Sequence, residues 1–90
     1  MKILSVCGNG LGSSLILKMA AEKVLKGEGI KAKVEVSDLG NAKGLDVDYI
    51  IASPEIANNL REHKATVIAI ENMTDKKEIK EKLIGSINNK

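Results

Sequence analysis

Ninety residues, 43% hydrophobic and 29% charged, suffice for one domain spanning 1–90, are too few for two, and lie outside the composition of disordered chains. Fourteen Lys plus Arg against twelve Asp plus Glu leave a net charge of +2, and Tyr49 is the single aromatic residue, so both the basic footprint and the stacking platforms of nucleic-acid binders are missing. With Cys7 and His63 the only residues of their kinds, neither an internal disulfide nor a metal-ligand spacing can be built.

The first apolar run, Ile3-Leu4-Ser5-Val6, leads into Gly8, Gly10 and Gly12, the pattern of a buried strand feeding a tight loop. From Ser13 onward a helix is predicted, with Leu15, Ile16, Met19, Ala20 and Val24 on its buried side, Lys18, Glu22 and Lys26 opposite, and Gly27 and Gly29 as its stop. Ala32 to Val36 alternates apolar and charged residues, as an edge strand does. Ser37 to Asp46 has only Leu39 and Leu45 as anchors and reads as a loop or a short irregular helix.

Tyr49-Ile50-Ile51-Ala52 is expected as a central strand, and Ser53-Pro54-Glu55 opens the next helix, with Ile56, Ala57 and Leu60 inward. His63, late in that helix and beside Arg61 and Lys64, is read as a surface residue without chemistry. Thr66 to Ile70 is the fourth strand. Asp75 with Glu78 three positions on marks the start of a last helix, buried through Ile79, Leu83 and Ile87, while Lys76, Lys77, Lys80 and Lys82 give it a solvated face.

This order predicts an α/β fold, a three-layer sandwich whose four-stranded parallel sheet runs 2-1-3-4 with helices on both faces, because parallel neighbours need right-handed crossovers. In such a sheet a crevice opens at the carboxyl ends of strands one and three, where the winding reverses. Cys7 is expected there, with Ser53 opposite.

Cys7-Gly8-Asn9-Gly10-Leu11-Gly12-Ser13-Ser14 is the stretch that carries chemistry. Its glycines let backbone amides turn inward, the following helix adds a partial positive charge, and Ser13 and Ser14 offer hydroxyl donors, which together suit an anion. The same surroundings lower a thiol from its usual ~8.5 toward the thiolate, making Cys7 a candidate nucleophile for phosphorus. Amides that stabilise the thiolate would also bind the equatorial oxygens of an arriving phosphoryl group.

Plainer readings exist for each residue. Cys7 can be a small buried hydrophobe at a strand end, Ser13 or Ser14 a helix cap, and Asn9 a residue that tolerates a left-handed turn; Ser53 suits a cap better than a ligand. A dinucleotide fingerprint fails because Gly12 follows Gly10 too soon, and a Walker loop fails for want of a lysine before Ser13. A low-molecular-weight tyrosine phosphatase places an arginine where Ser13 stands, and Asp38, Asp46 and Asp75 are general acids by residue type only. That hydrolase, and a noncatalytic phosphate-binding regulatory module, remain the alternatives.

At these eight residues the chain resembles the IIB component of the bacterial phosphoenolpyruvate-dependent sugar phosphotransferase system, nearest its ascorbate-type branch, whose pattern is Cys-Gly-x-Gly-x-Gly-Ser-Ser after an amino-terminal strand. Galactitol-type relatives carry Ala-Thr-Ser where this chain has Gly12-Ser13-Ser14, and lactose/cellobiose-type relatives space the loop differently. The resemblance implies a phosphocarrier: Cys7 takes a phosphoryl group from phosphohistidine of a IIA protein and gives it to a sugar held by a membrane-embedded IIC protein. Gly8 to Ser14 would bind the phosphate, and no metal or organic cofactor is implied. One face must then meet both partners, with Asn9, Leu11, Asp38 and Ser53 as its rim and the helix lysines available to steer an acidic donor. A bacterial cytoplasmic location, peripheral to the membrane partner, agrees with an opening segment too short for a signal peptide and with the lack of an apolar run near ~20 residues.

Overall fold

Continuous apolar runs can satisfy their burial only in the middle of a sheet covered on both sides, and alternating ones only at its edge. In the computed structural model residues 1–6, 11–72 and 75–88 are described, residues 11–14 by their backbone alone. Strands β1 (Lys2–Val6), β2 (Lys33–Ser37), β3 (Tyr49–Ala52) and β4 (Thr66–Ala69) are all parallel, in the order β2-β1-β3-β4. This is the predicted order, with the alternating β2 at one edge and the wholly buried β3 inside.

Helix α1 (Leu11–Gly27) lies on one face together with α4 (Lys76–Ile79), a π-helical turn (Lys80–Ile84) and α5 (Gly85–Asn88); α2 (Leu39–Ala42) and α3 (Pro54–Asn59) lie on the other. Alternate strand residues feed the two cores. Ile3, Tyr49, Ile51 and Ile68 meet Leu17, Leu25, Ile79 and Leu83 of the first layer, whereas Leu4, Val6 and Ile50 meet Ala42 and Leu60 of the second. Each fully buried Leu or Ile contributes about 1.5–3 kcal/mol.

Four expectations change in detail. Ser37 to Asp46 resolves into the end of β2 and the four-residue α2, whose start is fixed by Asp38: its carboxylate accepts from Asn41 N at 2.7 Å. Helix α1 begins at Leu11, two residues before the predicted start, and buries Leu17, Ala20, Ala21, Val24 and Leu25 while Leu15, Ile16 and Met19 face outward. Ser53 occupies the cap position of α3 but its side chain makes no cap bond there. Finally, Asp75 caps α4 through Lys77 N and Glu78 N, yet Glu78 does not return the bond as a capping box would; it reaches further back, to the backbone after β4.

Ile79, Leu83 and Ile87 are spaced four apart, so on a helix of 3.6 residues per turn they drift by about 40° per step. One wider turn with i→i+5 bonding reduces that drift, and all three pack against the first layer.

The carboxyl end of α1 is a Schellman motif: Ile30 N donates to Leu25 O at 2.9 Å and Gly29 N to Lys26 O at 3.2 Å, with Gly29 at φ 70°. A Cβ at Gly29 would meet nothing within 4 Å, so the position is restricted by its backbone and not by space. Gly29→Ala is therefore expected to lower unfolding free energy by about 1–2 kcal/mol. Gly27→Ala, equally uncrowded and in helical backbone, should leave it unchanged or slightly higher. Urea denaturation of the pair measures the difference.

Candidate functional site

The sheet register sets Val6 level with Ser37 and Ala52, and Ala52 level with Ala69. Ile70 N extends the β4 ladder one step to Ala52 O at 2.7 Å. After β1 the chain crosses on the α1 face, and after β3 on the α3 face, so the two central strands part company at their carboxyl ends. That is the predicted crevice.

Cys7, Gly8, Asn9 and Gly10, the predicted nucleophile and its nearest phosphate-binding residues, lie outside the described residues. Leu11, Gly12, Ser13 and Ser14 are the first turn of α1 in their backbone, so the connection from β1 is four residues and not the six that a start at Ser13 implies. First-turn N–H groups have no acceptor within their own helix. No acidic residue stands in this turn, whereas the first turns of α3 and α4 hold Glu55 and Glu78. The seventeen-residue helix thus presents the positive end of its dipole there, with no acid in its own first turn.

Two rim candidates flank this point. Asp38 directly follows β2, exposed, with both carboxylate oxygens on Asn41: Oδ1 accepts from N at 2.7 Å and Oδ2 from Nδ2 at 3.2 Å. Ser53 directly follows β3 and is half-buried. As general acids, Asp38 and Asp75 are both engaged in helix caps, and Asp46 precedes β3, at the amino ends of the parallel strands.

Beyond Ser53 the chain after β4 is held by a carboxylate. Glu78 Oε2 accepts from Glu71 N at 2.7 Å and Oε1 from Asn72 N at 2.9 Å, while Lys82 Nζ donates to Glu78 at 2.8 Å and to Ala69 O at 3.0 Å. The Lys82 hydrogen bond, then the two backbone amides, lower the Glu78 pKa from its ordinary 4.5 to about 2.

His63 is not a free surface residue. Its Nδ1 accepts from Ala65 N at 3.0 Å, which leaves Nε2 as the donor to Ala42 O at 2.9 Å, so the ring brackets the end of α2 to the start of β4. An open hollow beside it is lined by Lys43, Asn58, Arg61 and Glu62. Among the described residues no three His, Cys, Asp or Glu side chains gather as metal ligands would, and no helix is long and apolar enough to cross a membrane.

The family model described as PTS system, Lactose/Cellobiose specific IIB subunit, matches residues 2–84. The chain belongs to the PTS IIB family. It is similar to the ascorbate-specific PTS system EIIB component of Mycoplasma pneumoniae, 36% identical over 86 residues that cover 92% of this chain and 90% of that protein. The component of the same name from Escherichia coli O157:H7 is 34% identical over 90 residues, 97% of this chain and 89% of the relative, as is that of Salmonella typhi. The resemblance carried by Cys7 to Ser14 thus extends over almost the whole PTS IIB chain.

The sequence reading of this PTS IIB protein missed one feature beside the site. Leu15, Ile16 and Met19 are 49%, 50% and 52% exposed. A helical projection holds the missing signal: these three share the outward side with Glu22, Lys23 and Lys26, so that side is apolar in its first half and charged in its second.

The Glu78 clamp gives a pH prediction with a definite sign. Because the folded pKa lies below the unfolded one, the contribution is full above about pH 4.5 and is lost as pH falls through about 2. Urea midpoints measured from pH 5 to about pH 2 should fall less steeply in Glu78→Gln than in the unaltered protein, and equal slopes would contradict the clamp.

Proposed function

We propose that this PTS IIB protein is a phosphocarrier of an ascorbate-type sugar phosphotransferase system with Cys7 as its phosphoryl acceptor. The observation that carries the reading is the acid-free first turn of α1, joined by four residues to a central strand that ends level with β2 and β3 at the winding reversal. The family match over residues 2–84 and the ascorbate-specific relatives support it independently.

In the first step the Cys7 thiolate attacks the phosphorus of a phosphohistidine on a IIA protein. The S–P bond forms as the N–P bond breaks, and the imidazole leaves with the electron pair and takes up a proton. Backbone amides of the Gly8 to Ser14 stretch and the Ser13 and Ser14 hydroxyls hold the three equatorial oxygens throughout. In the second step a sugar hydroxyl bound by a membrane IIC protein attacks the phosphocysteine: an O–P bond forms, S–P breaks, the thiolate is regenerated and the hydroxyl proton is lost to a base. The phosphoryl group arrives already activated on nitrogen, so neither step calls for a cofactor. The protein works in the bacterial cytoplasm, at the membrane only while bound to IIC.

Hydrolysis is disfavoured on this reading because Ser13 stands where a phosphatase has its arginine, and a hydroxyl lacks the two-pronged charged grip of a guanidinium. Incubation with a phosphorylated IIA donor, followed by intact-mass analysis and peptide mapping, should give one phosphoryl adduct on the peptide containing Cys7 and none in Cys7→Ser. An adduct on His63 or a serine overturns the assignment. Hydrolysis of an aryl phosphate ester, abolished in Cys7→Ala, favours the phosphatase reading. Phosphate binding without an adduct, unchanged in Cys7→Ser, favours a regulatory module.

A further inference from the structure

We infer that the groove between α1 and α4 is a binding site for a small diphosphate or bisphosphate, held by Lys23, Lys76, Lys77 and Lys80. The inference does not depend on the reading of Cys7, since none of these residues belongs to the motif after β1.

Charge is the first argument. The groove, of about 460 Å³, has those lysines on its walls and Val24 and Gly27 on its floor, and its single acid is Glu28, paired with Lys80 at 3.2 Å. The acids of the adjoining turn are committed elsewhere. Asp75 accepts from Lys77 N at 3.0 Å and Glu78 N at 3.4 Å, while Glu78 is held by Lys82 at 2.8 Å and by the amides of Glu71 and Asn72. Glu22 lines a hollow on the other side of α1, and Glu81 one beside β4. Lys23, Lys76 and Lys77 therefore form no ion pair among the described residues. Ammonium groups gathered without counter-charge repel one another, and an anion entering between them relieves that repulsion. Around α2 and α3 the balance differs: Asp38, Glu55 and Glu62 match Lys43, Arg61 and Lys64.

Shape and residue type select the ligand. The volume is that of a small-molecule site, and the floor is open at Gly27, where a Cβ would meet nothing within 4 Å. Lysines are point charges on flexible stems, without the planar fork of arginine, so they suit oxygens spread over two phosphate groups better than one flat carboxylate. A nucleotide is disfavoured because Tyr49, the single aromatic residue, is buried in the core and offers no ring for a base to stack on. A flat anionic membrane would meet such a concavity only at its rims, whereas a small anion is enclosed. Lys23 belongs to α1, and Lys76, Lys77 and Lys80 to α4 and the turn that continues it, so the bound ligand ties the two elements together and stabilises the fold by mass action.

The test is titration calorimetry with pyrophosphate, and with inorganic phosphate as the single-group control. Pyrophosphate should bind about tenfold more tightly than phosphate, weaken as salt rises, and raise the urea midpoint of the protein. Lys76→Gln with Lys77→Gln should raise its Kd about tenfold, as the loss of two exposed charge contacts implies, and leave the ligand-free protein no less stable. Gly27→Glu, which brings a carboxylate into the groove, should abolish binding. Lys43→Gln with Lys64→Gln removes the same net charge from the other layer and should change Kd by less than about twofold. In nuclear magnetic resonance spectra pyrophosphate should move the amide signals of Lys23, Gly27, Lys76 and Lys77. The inference is overturned if pyrophosphate does not bind, if both lysine pairs weaken it equally, or if the only signals that move are those of Leu11 to Ser14. Sedimentation with phosphatidylglycerol vesicles, lost in Lys76→Gln with Lys77→Gln and unaccompanied by pyrophosphate binding, overturns it in favour of a lipid surface. None of these outcomes bears on Cys7 as the phosphoryl acceptor, which the labelling experiment decides.

Discussion

Two neighbouring parallel strands, β1 and β3, are buried on both faces, and this double burial sets the terms for everything around it. Strands so placed cannot be joined by a hairpin; each must leave the sheet and return through a crossover. One crossover covers the α1 side and the other the α2–α3 side, because an uncovered face would leave Ile3 and Ile51, or Leu4 and Ile50, in water. The chain diverges at the carboxyl ends of these strands as a consequence, and the motif residues begin at that divergence. Packing demand thus determines where in the sheet the motif begins.

Much of this was legible in the sequence because burial writes a periodic signal. Tyr49 to Ala52 has no polar residue and became the wholly buried β3; Lys33 to Val36 alternates and became the edge. The eight-residue motif stands on residue type and not on periodicity, and its first four residues lie outside the described ones. Helix α1 was misread in part. Its segment from Leu15 to Leu25 is so rich in apolar residues that spacing alone does not choose between two stripes, and the chosen one gave Leu15, Ile16 and Met19 the burial that Leu17, Ala21 and Leu25 receive. The π turn was invisible because a four-residue spacing is compatible with an α-helix until the packing of Ile87 is required.

Polar side chains were harder to place than apolar ones, and the reason is reach. Glu78 has the spacing of a capping box, but beside its i+4 neighbour Lys82 its carboxylate finds two amides after β4, which only the tertiary fold brings within range. His63 shows the same effect: neighbouring charges in sequence suggested solvent, while the ring lies between the end of α2 and the start of β4. In both cases the distant partners are backbone groups, and backbone groups leave no mark in the sequence.

The two outer strands complete the sheet without inviting another. On β2 the exposed Lys33 and Glu35 pair at 3.3 Å along the rim, and a strand added there would have to strip water from both. At the far side Ile70 N points inward to Ala52, so the carbonyl of the preceding Ala69 points outward, and it is already taken by the Lys82 ammonium. Both edges of this PTS IIB sheet are thereby guarded against growth through main-chain ladders, the mode of association that is hardest to reverse.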